Sequence, residues 1–245
     1  MQVFIEEDYS AMSKRAAQIF ADEIRKKPNL VLGLATGSTP IGTYKELIRM
    51  YEEEGLDFSQ VVSFNLDEYY GLTPDNPQSY NYFMFEHLFN RINIQRQNIH
   101  IPDGRASDIE KFCREYDKKI ESFGGIDVQL LGIGVNGHIG FNEPADKLIL
   151  GTHLTDLTDD TIQANSRFFD SPDQVPTKAI TMGIGAIMKA KKIVLLANGK
   201  SKAEIMAKLV NADYVTTEIP ATLLKLHPDV TVIMDREAGA KIQNS

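Results

Sequence analysis

The chain alternates between short apolar runs and longer segments in which apolar residues recur every three or four positions. Strand-like apolar runs occur at residues 3–5, 30–34, 61–64, 128–133, 193–197 and 230–234. Helical spacing is found around residues 44–51, 82–89 and 109–120. The clearest apolar stripe with helical spacing consists of Tyr9, Met12, Ala16, Phe20 and Ile24. It predicts a helix that begins after Asp8 and ends before Pro28.

This alternation of strands and helices predicts an α/β fold. We expect a single-domain, doubly wound, mostly parallel sheet with helices on both faces, which is a Rossmann-like architecture. No internal repeat and no Pro/Gly/Ser-rich linker divides the chain, so one domain should span residues 1–245. In open sheets of this kind, ligands bind beyond the carboxyl ends of the strands. The segments that follow the strands are therefore the first place to look for chemistry.

Composition narrows the class of protein. The 245 residues are 42% hydrophobic and 24% charged, which is enough to bury a sizeable core. A formal net charge of −8 without a dense basic cluster argues against a nucleic-acid partner. The acidic start of the chain lacks the pattern of a signal peptide, and no apolar run is long enough to suggest a membrane partner. Cys113 is the only cysteine, which excludes an internal disulfide and favours a cytoplasmic location.

The segment from 131 to 145 ends an apolar run in a glycine-rich stretch that carries polar and ionisable residues. It contains Asn136, His138 and Glu143. An imidazole followed five positions later by a carboxylate can form a hydrogen-bonded pair that moves protons near neutral pH. A loop with a surface histidine and a capping glutamate accounts for the same spacing. Gly140 and Pro144 oppose the helical presentation that His-Glu metal motifs use, so we expect no metal site.

Residues 35–40 form a second candidate, here called the 35–40 loop. Gly37, Ser38 and Thr39 follow a buried strand and precede a helix whose first residue is expected at Pro40. Backbone N–H groups and two hydroxyls at a helix N-terminus suit a phosphate. The loop lacks the Gly-Lys-Ser/Thr of a Walker motif and the spacing of a dinucleotide fingerprint. A simple helix-capping turn would have the same composition.

Asp67 and Glu68 follow the 61–64 run directly. One of these carboxylates is expected to point into the cleft, where burial would raise its pKa into the range of a general base. Capping of a turn or helix by Asp67 is the alternative. Farther along the chain, Arg167 and Lys202 are candidate phosphate-binding cations, or else ordinary solvated side chains.

Taken together, these motifs resemble the glucosamine-6-phosphate deaminase family. The similarity covers nearly the whole chain and rests on segments 32–40, 64–69, 137–144, 164–169 and 199–202, all in the order of the family. The resemblance implies a fold of the sugar-phosphate isomerase type. It also implies conversion of glucosamine 6-phosphate and water to fructose 6-phosphate and ammonia, by acid–base catalysis without a cofactor or metal.

The resemblance also implies a role for each candidate residue. Asp67 would move the C2 proton of the sugar to C1, and His138, held by Glu143, would catalyse ring opening. The phosphate would be bound by Gly37, Ser38, Thr39, Arg167 and Lys202. Many family members have an aspartate where this chain has Asn136. We therefore expect Asn136 only to position the imidazole, and the pKa that governs ring opening to be lower than in those members.

Regulation and assembly are a second departure from part of the family. Hexameric members bind an acetylated sugar phosphate with basic residues shortly after the Phe-Asn-Glu-Pro motif and with a C-terminal extension. The matching segment here, 151–156, carries no Lys or Arg. The chain thus resembles the short, non-allosteric form, for which a monomer is expected, with a lid within 145–180.

Two other functions remain compatible with these motifs. A 6-phosphogluconolactonase would share the fold and the phosphate loop but would open a lactone ester without needing a carbon-proton base. A non-catalytic sugar-phosphate sensor domain would share the architecture but would have no use for Asp67, His138 and Glu143.

Overall fold

The computed structural model describes residues 1–166, 169, 171 and 174–242. In chain order, the strands found there are β1 (Gln2–Glu6), β2 (Val31–Leu34), β3 (Val62–Asn65), β4 (Asp67–Tyr69), β5 (Ile99–His100), β6 (Val128–Gly132), β7 (His153–Asp156), β8 (Lys178–Thr181), β9 (Lys192–Ala197) and β10 (Val230–Asp235). The α-helices are α1 (Tyr9–Lys26), α2 (Ile41–Glu54), α3 (Tyr80–His87), α4 (Ile109–Ser122), α5 (Asp159–Ser166), α6 (Ile184–Met188) and α7 (Ala203–Asn211). Within the described ranges, no helix is both long and apolar enough to cross a membrane.

Seven parallel strands form the main sheet, in the order β1-β10-β9-β6-β2-β3-β5. The chain proceeds from β2 outward to β3 and β5, then returns to β6 beside β2 and continues outward in the other direction. Since crossovers between parallel strands are right-handed, this reversal places α1 and α2 on one face and α4 and α7 on the other. The sheet is therefore doubly wound, as predicted, and its topological switch point lies between β2 and β6.

The first helix shows how the sequence determines local structure. The side chain of Asp8 accepts a hydrogen bond from the Ala11 N–H at 2.8 Å and caps the N-terminus of α1. The apolar stripe faces the core, where Met12, Phe20 and Ile24 are almost fully buried. The helix ends at Lys26, as the following Pro28 predicts.

One predicted boundary is displaced by a residue. Pro40 does not begin α2 but occupies the N-cap position, with helical dihedral angles, and α2 starts at Ile41. The Pro40 carbonyl accepts the first intrahelical hydrogen bond from the Tyr44 N–H at 3.0 Å. The proline therefore restricts the backbone at the residue before α2, whereas it was expected to be the first residue of the helix.

A small antiparallel sheet lies beside the main sheet and was not predicted. It consists of β4, β8 and β7, with β8 in the centre. Its strands have only three or four residues and contain charged or polar side chains at many positions, so hydrophobic periodicity gives no signal for them. A separate apolar cluster that includes Tyr69, Phe141 and Leu157 packs around it. The carboxylates that were expected just beyond β3 therefore lie on a strand of this second sheet.

Candidate active site

The segments that carry the candidate residues converge at the carboxyl edge of the main sheet. The Thr39 hydroxyl donates to Asn198 Oδ1 at 2.7 Å, which joins the loop after β2 to the loop after β9. The Lys202 ammonium donates to the Ile133 carbonyl at 2.6 Å, which ties the β9 loop to the end of β6. These loops flank the switch point, where a doubly wound sheet offers a ligand crevice.

Gly37 gives the 35–40 loop its shape. Its φ angle is +101°, a left-handed conformation that side chains other than glycine rarely adopt. The turn that it permits leaves Ser38 exposed and places Thr39 at the entrance to α2. Such a loop can present N–H groups and hydroxyls to an anion.

The structure describes only one of the two cations that were predicted to bind the phosphate. Lys202 lies in the 3₁₀ turn Lys200–Lys202 that leads into α7, close to the end of β6. Arg167 lies outside the described residues. Asn198 was not singled out from the sequence, because an asparagine after a strand has the usual composition of a turn.

Asp67 is a buried carboxylate on β4, with only 6% of the residue exposed. Among residues 1–166, 169, 171 and 174–242, none donates a hydrogen bond to it. Burial, and secondarily the negative charge of Glu68, raise the pKa of Asp67 to about 8. Once ionised, this carboxylate is a stronger base than an exposed aspartate.

Glu68 is also buried but has a different environment. Its carboxylate accepts hydrogen bonds, each at 2.8 Å, from the N–H groups of Tyr69, Tyr80 and Asn81, and so caps the first turn of α3. Burial raises the pKa of Glu68 to about 7, although the three donors oppose the shift. Capping thus occupies Glu68, whereas Asp67 has no hydrogen-bond donor among the described residues.

The burial of Asp67 predicts a stability effect that varies with pH. Because its folded-state pKa is raised above the unfolded value, the chain loses stability as the pH rises from about 4, near the unfolded pKa, toward about 8. Asp67→Asn removes this loss. We expect the variant to melt above the parent by about 3 °C or more at pH 8, and by less at pH 5, in scanning calorimetry.

Asp127 provides a matched control with the opposite sign. Burial opposes its ionisation, but hydrogen bonds from Lys191, Lys27 and the Val31 N–H outweigh that effect and lower the pKa of Asp127. Asp127→Asn should therefore melt below the parent at both pH values. An Asp67→Asn variant that melts below the parent at pH 8 would show that the carboxylate is not a destabilising group.

His138 and Glu143 form a direct pair on the loop after β6. The imidazole Nδ1 lies 3.0 Å from Glu143 Oε2. With a carboxylate at this distance, Nδ1 carries the hydrogen, and Nε2 is the acceptor in the neutral ring. The His138 side chain is 21% exposed, whereas that of Glu143 is 9% exposed. The ring can thus reach a ligand with one nitrogen while the carboxylate holds the other.

Glu143 receives three hydrogen bonds. Besides the imidazole, Asn136 Nδ2 donates to Oε2 at 2.7 Å and the Thr161 hydroxyl donates to Oε1 at 2.6 Å. Burial alone would raise the pKa of Glu143, but the bond to His138 and its charge, with the bonds from Thr161 and Asn136, lower the pKa to about 2. Glu143 is consequently a fixed negative charge behind the imidazole.

Asn136 acts on the pair from two directions. Its amide donates to Glu143, and its Oδ1 accepts from the main-chain N–H of His138 at 3.1 Å. In the described contacts it positions the imidazole through the loop and through Glu143, without a hydrogen bond to the ring itself. Gly134 makes room for that ring, because a Cβ there would lie 2.3 Å from an imidazole carbon.

Thr161 is a functional candidate that the sequence analysis did not identify. It lies in the first turn of α5, within the 145–180 segment, and its hydroxyl accepts from Thr158 at 3.1 Å while donating to Glu143. A threonine 18 residues away from its partner gives no local sequence signal. The contact links α5 directly to the His138–Glu143 pair.

The strand β8 connects Asp67 with the His138 loop. Asp67 and Thr181 are paired residues of β4 and β8, and Thr181 Oγ1 accepts from the Phe141 N–H at 3.0 Å. A Cβ on Gly140 would lie 3.8 Å from Asp67 Oδ2, so the loop passes directly beside the carboxylate. The base candidate therefore lies beside the loop that carries the imidazole pair. Within the described residues, no group of three or more potential metal ligands occurs.

Comparison with known proteins identifies close relatives of this chain. Residues 6–233 match the family described as glucosamine-6-phosphate isomerases/6-phosphogluconolactonase. Glucosamine-6-phosphate deaminase from Thermoanaerobacter pseudethanolicus is 59% identical over 242 residues, covering 99% of this chain and 95% of the relative. The protein of the same name from Halothermothrix orenii is 57% identical over 240 residues, covering 98% and 99%.

Comparison with solved structures also finds a glucosamine-6-phosphate deaminase similar to this chain. A structure described as a monomeric glucosamine-6-phosphate deaminase has a TM-score of 0.95 and 48% identity, covering 98% of this chain and all of that one. The 6-phosphogluconolactonase from Trypanosoma brucei has a TM-score of 0.77 at 19% identity, covering 99% and 98%. That second likeness concerns the fold alone.

Proposed function

The chain belongs to the family of glucosamine-6-phosphate isomerases and 6-phosphogluconolactonases, and we propose that Asp67 and the His138–Glu143 pair divide its chemistry between them. The chain catalyses the isomerisation and deamination of glucosamine 6-phosphate to fructose 6-phosphate and ammonia. The lactonase alternative is not favoured, since the lactonase structures share only about a fifth of the sequence.

The observation that carries this proposal is the buried carboxylate of Asp67, which has no hydrogen-bond donor within the described residues and lies beside the loop that carries the imidazole pair. Hydrolysis of a lactone needs an activated water but no base that removes a proton from carbon. An aldose–ketose isomerisation needs such a base, with a pKa near the working pH. The site therefore fits the isomerase-deaminase reaction better than ester hydrolysis.

Ring opening is the first step, and we assign it to His138. The imidazole Nε2 takes the proton of the anomeric hydroxyl and returns a proton to the ring oxygen as the C1–O5 bond breaks. Glu143 stabilises the imidazolium that forms between these transfers, because its negative charge faces Nδ1. Asn136 and Thr161 keep that carboxylate ionised and in place.

Proton transfer between carbons is the second step, and we assign it to Asp67. The ionised carboxylate removes the C2 proton while a proton of the substrate's ammonium group moves to O1, which gives an enolamine. Return of the C2 proton to C1 then leaves a protonated imine at C2. Water adds to C2 and ammonia leaves, so that the ketone of fructose 6-phosphate remains. Burial of the base limits the competition of bulk water with the substrate for the carboxylate.

The phosphate end of the sugar is assigned to the 35–40 loop and Lys202. The loop supplies N–H groups and the Ser38 and Thr39 hydroxyls, and Lys202 supplies a positive charge. Arg167 is retained as a second cation on the basis of the resemblance. Binding energy gained at the phosphate then serves to orient C1 and C2 toward the acid–base groups.

The test is a product analysis with two substrates. The purified protein should release ammonia and fructose 6-phosphate in equal amounts from glucosamine 6-phosphate, and should hydrolyse 6-phosphogluconolactone no faster than buffer. Lactone hydrolysis without ammonia release would show that the protein is a lactonase and would contradict the deaminase function. Tight binding of the sugar phosphate without turnover of either substrate would make it a sensor.

A further prediction concerns Asn136. Asn136→Asp replaces an amide that donates to Glu143 by a second carboxylate at about the same place, and both carboxylates cannot stay ionised at that separation. We expect the acid limb of the kcat/KM profile to move upward by about one pH unit. Steady-state rates from pH 5 to 10 measure the shift, with Asn98→Asp, at a half-buried position of a 3₁₀ turn, as a control. A profile that superimposes on that of the parent contradicts the assignment.

Assembly, architecture and location are proposals that accompany this function. We propose a monomer, supported by the monomeric relative of 0.95 TM-score, so that light scattering should give a mass near 27.4 kDa. A single domain over 1–245, a lid within 145–180 and a cytoplasmic location stay predictions. The contact between Thr161 and Glu143 supports the lid, because it brings α5 to the catalytic pair.

A further inference from the structure

We propose that Tyr9 is a positioning residue for phosphate binding, because its hydroxyl orients the peptide groups of the 35–40 loop toward the anion. The inference rests on the phosphate role proposed above for that loop. Tyr9 is the first residue of α1 and lies 29 residues before Ser38. From the sequence it was assigned only to the apolar stripe of that helix.

The Tyr9 hydroxyl uses all of its hydrogen-bonding capacity on the loop and on the start of α2. It donates to the carbonyls of Ser38 at 3.0 Å and Thr39 at 3.1 Å, which share its single hydrogen. It accepts from the Gly42 N–H at 2.7 Å. The phenol is itself held at the capped end of α1, where Asp8 fixes the first turn.

The direction of a carbonyl determines the direction of the next N–H. The C=O and N–H bonds of one trans peptide group point to opposite sides. The Ser38 carbonyl faces Tyr9, so the Thr39 N–H points away from it. The Ala35 carbonyl is held in the same manner by the Tyr44 hydroxyl at 2.5 Å, so the Thr36 N–H also points away from its tyrosine.

These N–H groups are available to a ligand. Across the described parts of the chain, the main-chain N–H groups of residues 36–39 donate to no protein acceptor. Pro40 follows Thr39 and has no N–H, so the Thr39 carbonyl can be held by Tyr9 without turning a donor away from the anion. Successive N–H groups that lack protein partners form an anion-binding concavity. The two tyrosines thus hold the carbonyl side of the loop.

Tyr9→Phe tests the proposal, because it removes one oxygen and keeps the ring. We expect KM for glucosamine 6-phosphate to rise by about 3–10-fold, the value of a hydrogen bond that orders a binding group. The inhibition constant of inorganic phosphate should rise by the same factor. Since Tyr9 does not act on the reacting carbons, kcat should change by less than about 2-fold.

Tyr116→Phe is the matched control. That hydroxyl also donates to two main-chain carbonyls, those of Asn65 at 2.8 Å and His100 at 3.2 Å, but these lie at the ends of β3 and β5, outside the 35–40 loop. It should leave the inhibition constant of phosphate unchanged. A merely structural role for Tyr9 would lower the melting temperature without changing the two phosphate-dependent constants, and that result would overturn the proposal.

Two further results keep the interpretation clear. If Tyr9→Phe does not fold, Tyr44→Phe removes the other carbonyl anchor and should raise the same two constants, whereas unchanged constants would contradict the inference. If the parent deaminates its substrate and phosphate inhibits it, yet neither tyrosine variant changes the phosphate constants, only this inference fails. If the parent releases no ammonia or is not inhibited by phosphate, the result contradicts the proposed function of the site itself.

Discussion

Asp67→Asn will lower kcat for glucosamine 6-phosphate by about 10²–10⁴-fold, the usual contribution of a general base. The asparagine has the size of the native side chain but cannot accept the C2 proton. The change leaves the phosphate-binding loop untouched, so the inhibition constant of inorganic phosphate should stay within about 2-fold of the parent. The rate of ammonia release, followed with a coupled assay, measures the loss.

Isotope exchange identifies the step that is lost. With ammonium ions present, so that the reverse reaction can form the imine, the parent should exchange a C1 proton of fructose 6-phosphate with solvent deuterium, and Asp67→Asn should not. Asp127→Asn, which changes an equally buried carboxylate at the opposite edge of the sheet, should retain the rate of the parent at a temperature where it is folded. A variant at position 67 that retains both activities would remove Asp67 from the reaction.

His138→Gln will also lower kcat by about 10²–10⁴-fold, because the ring of the sugar then opens without a proton carrier. Glutamine can hydrogen-bond to Glu143 but cannot exchange a proton near neutral pH. Binding of the open-chain alcohol of the substrate, an amino-alditol 6-phosphate, should be nearly unchanged, since this compound needs no ring opening. Comparison of kcat with the inhibition constant of the alcohol measures both effects.

The partner of His138 supplies an internal test. If Glu143 acts only through the imidazole, Glu143→Gln combined with His138→Gln should be about as slow as His138→Gln alone. Additive losses would contradict a shared role. His227→Gln is the control, since that imidazole bonds the Ala190 carbonyl at 2.7 Å near the opposite edge of the sheet, and its replacement should leave kcat unchanged.

Five strands of the main sheet could be predicted from the sequence because they are buried and mostly apolar, whereas the two-residue strand β5 was not predicted. Segments 30–34, 61–64, 128–133, 193–197 and 230–234 each correspond to an observed strand with a shift of at most one residue at either end. The pattern also located the loops at the carboxyl ends, since it showed where each apolar run stops. The contact between His138 and Glu143 followed from spacing, because five residues of a glycine-rich loop let the two side chains meet.

Contacts between distant segments could not be predicted in this way. The small sheet has no hydrophobic period, and the two hydroxyls that act on the site, those of Tyr9 and Thr161, come from the first turns of different helices. Periodicity describes which face of a helix is buried but not what a polar atom on that face contacts. Only the tertiary arrangement determines those partners, and the same holds for which of Asp67 and Glu68 caps the first turn of α3.

The proposed carbon-proton base and the proposed phosphate-binding groups lie on different sheets, although the His138–Glu143 pair follows β6 of the main sheet. The 35–40 loop and Lys202 belong to the main sheet, whereas Asp67 belongs to β4 of the small sheet. Substitutions in the small sheet can therefore alter the reaction while the affinity for sugar phosphates is preserved. Such modularity gives a physical route by which one ancestral scaffold acquires new reactions, and the family to which this chain belongs includes both isomerases and lactonases.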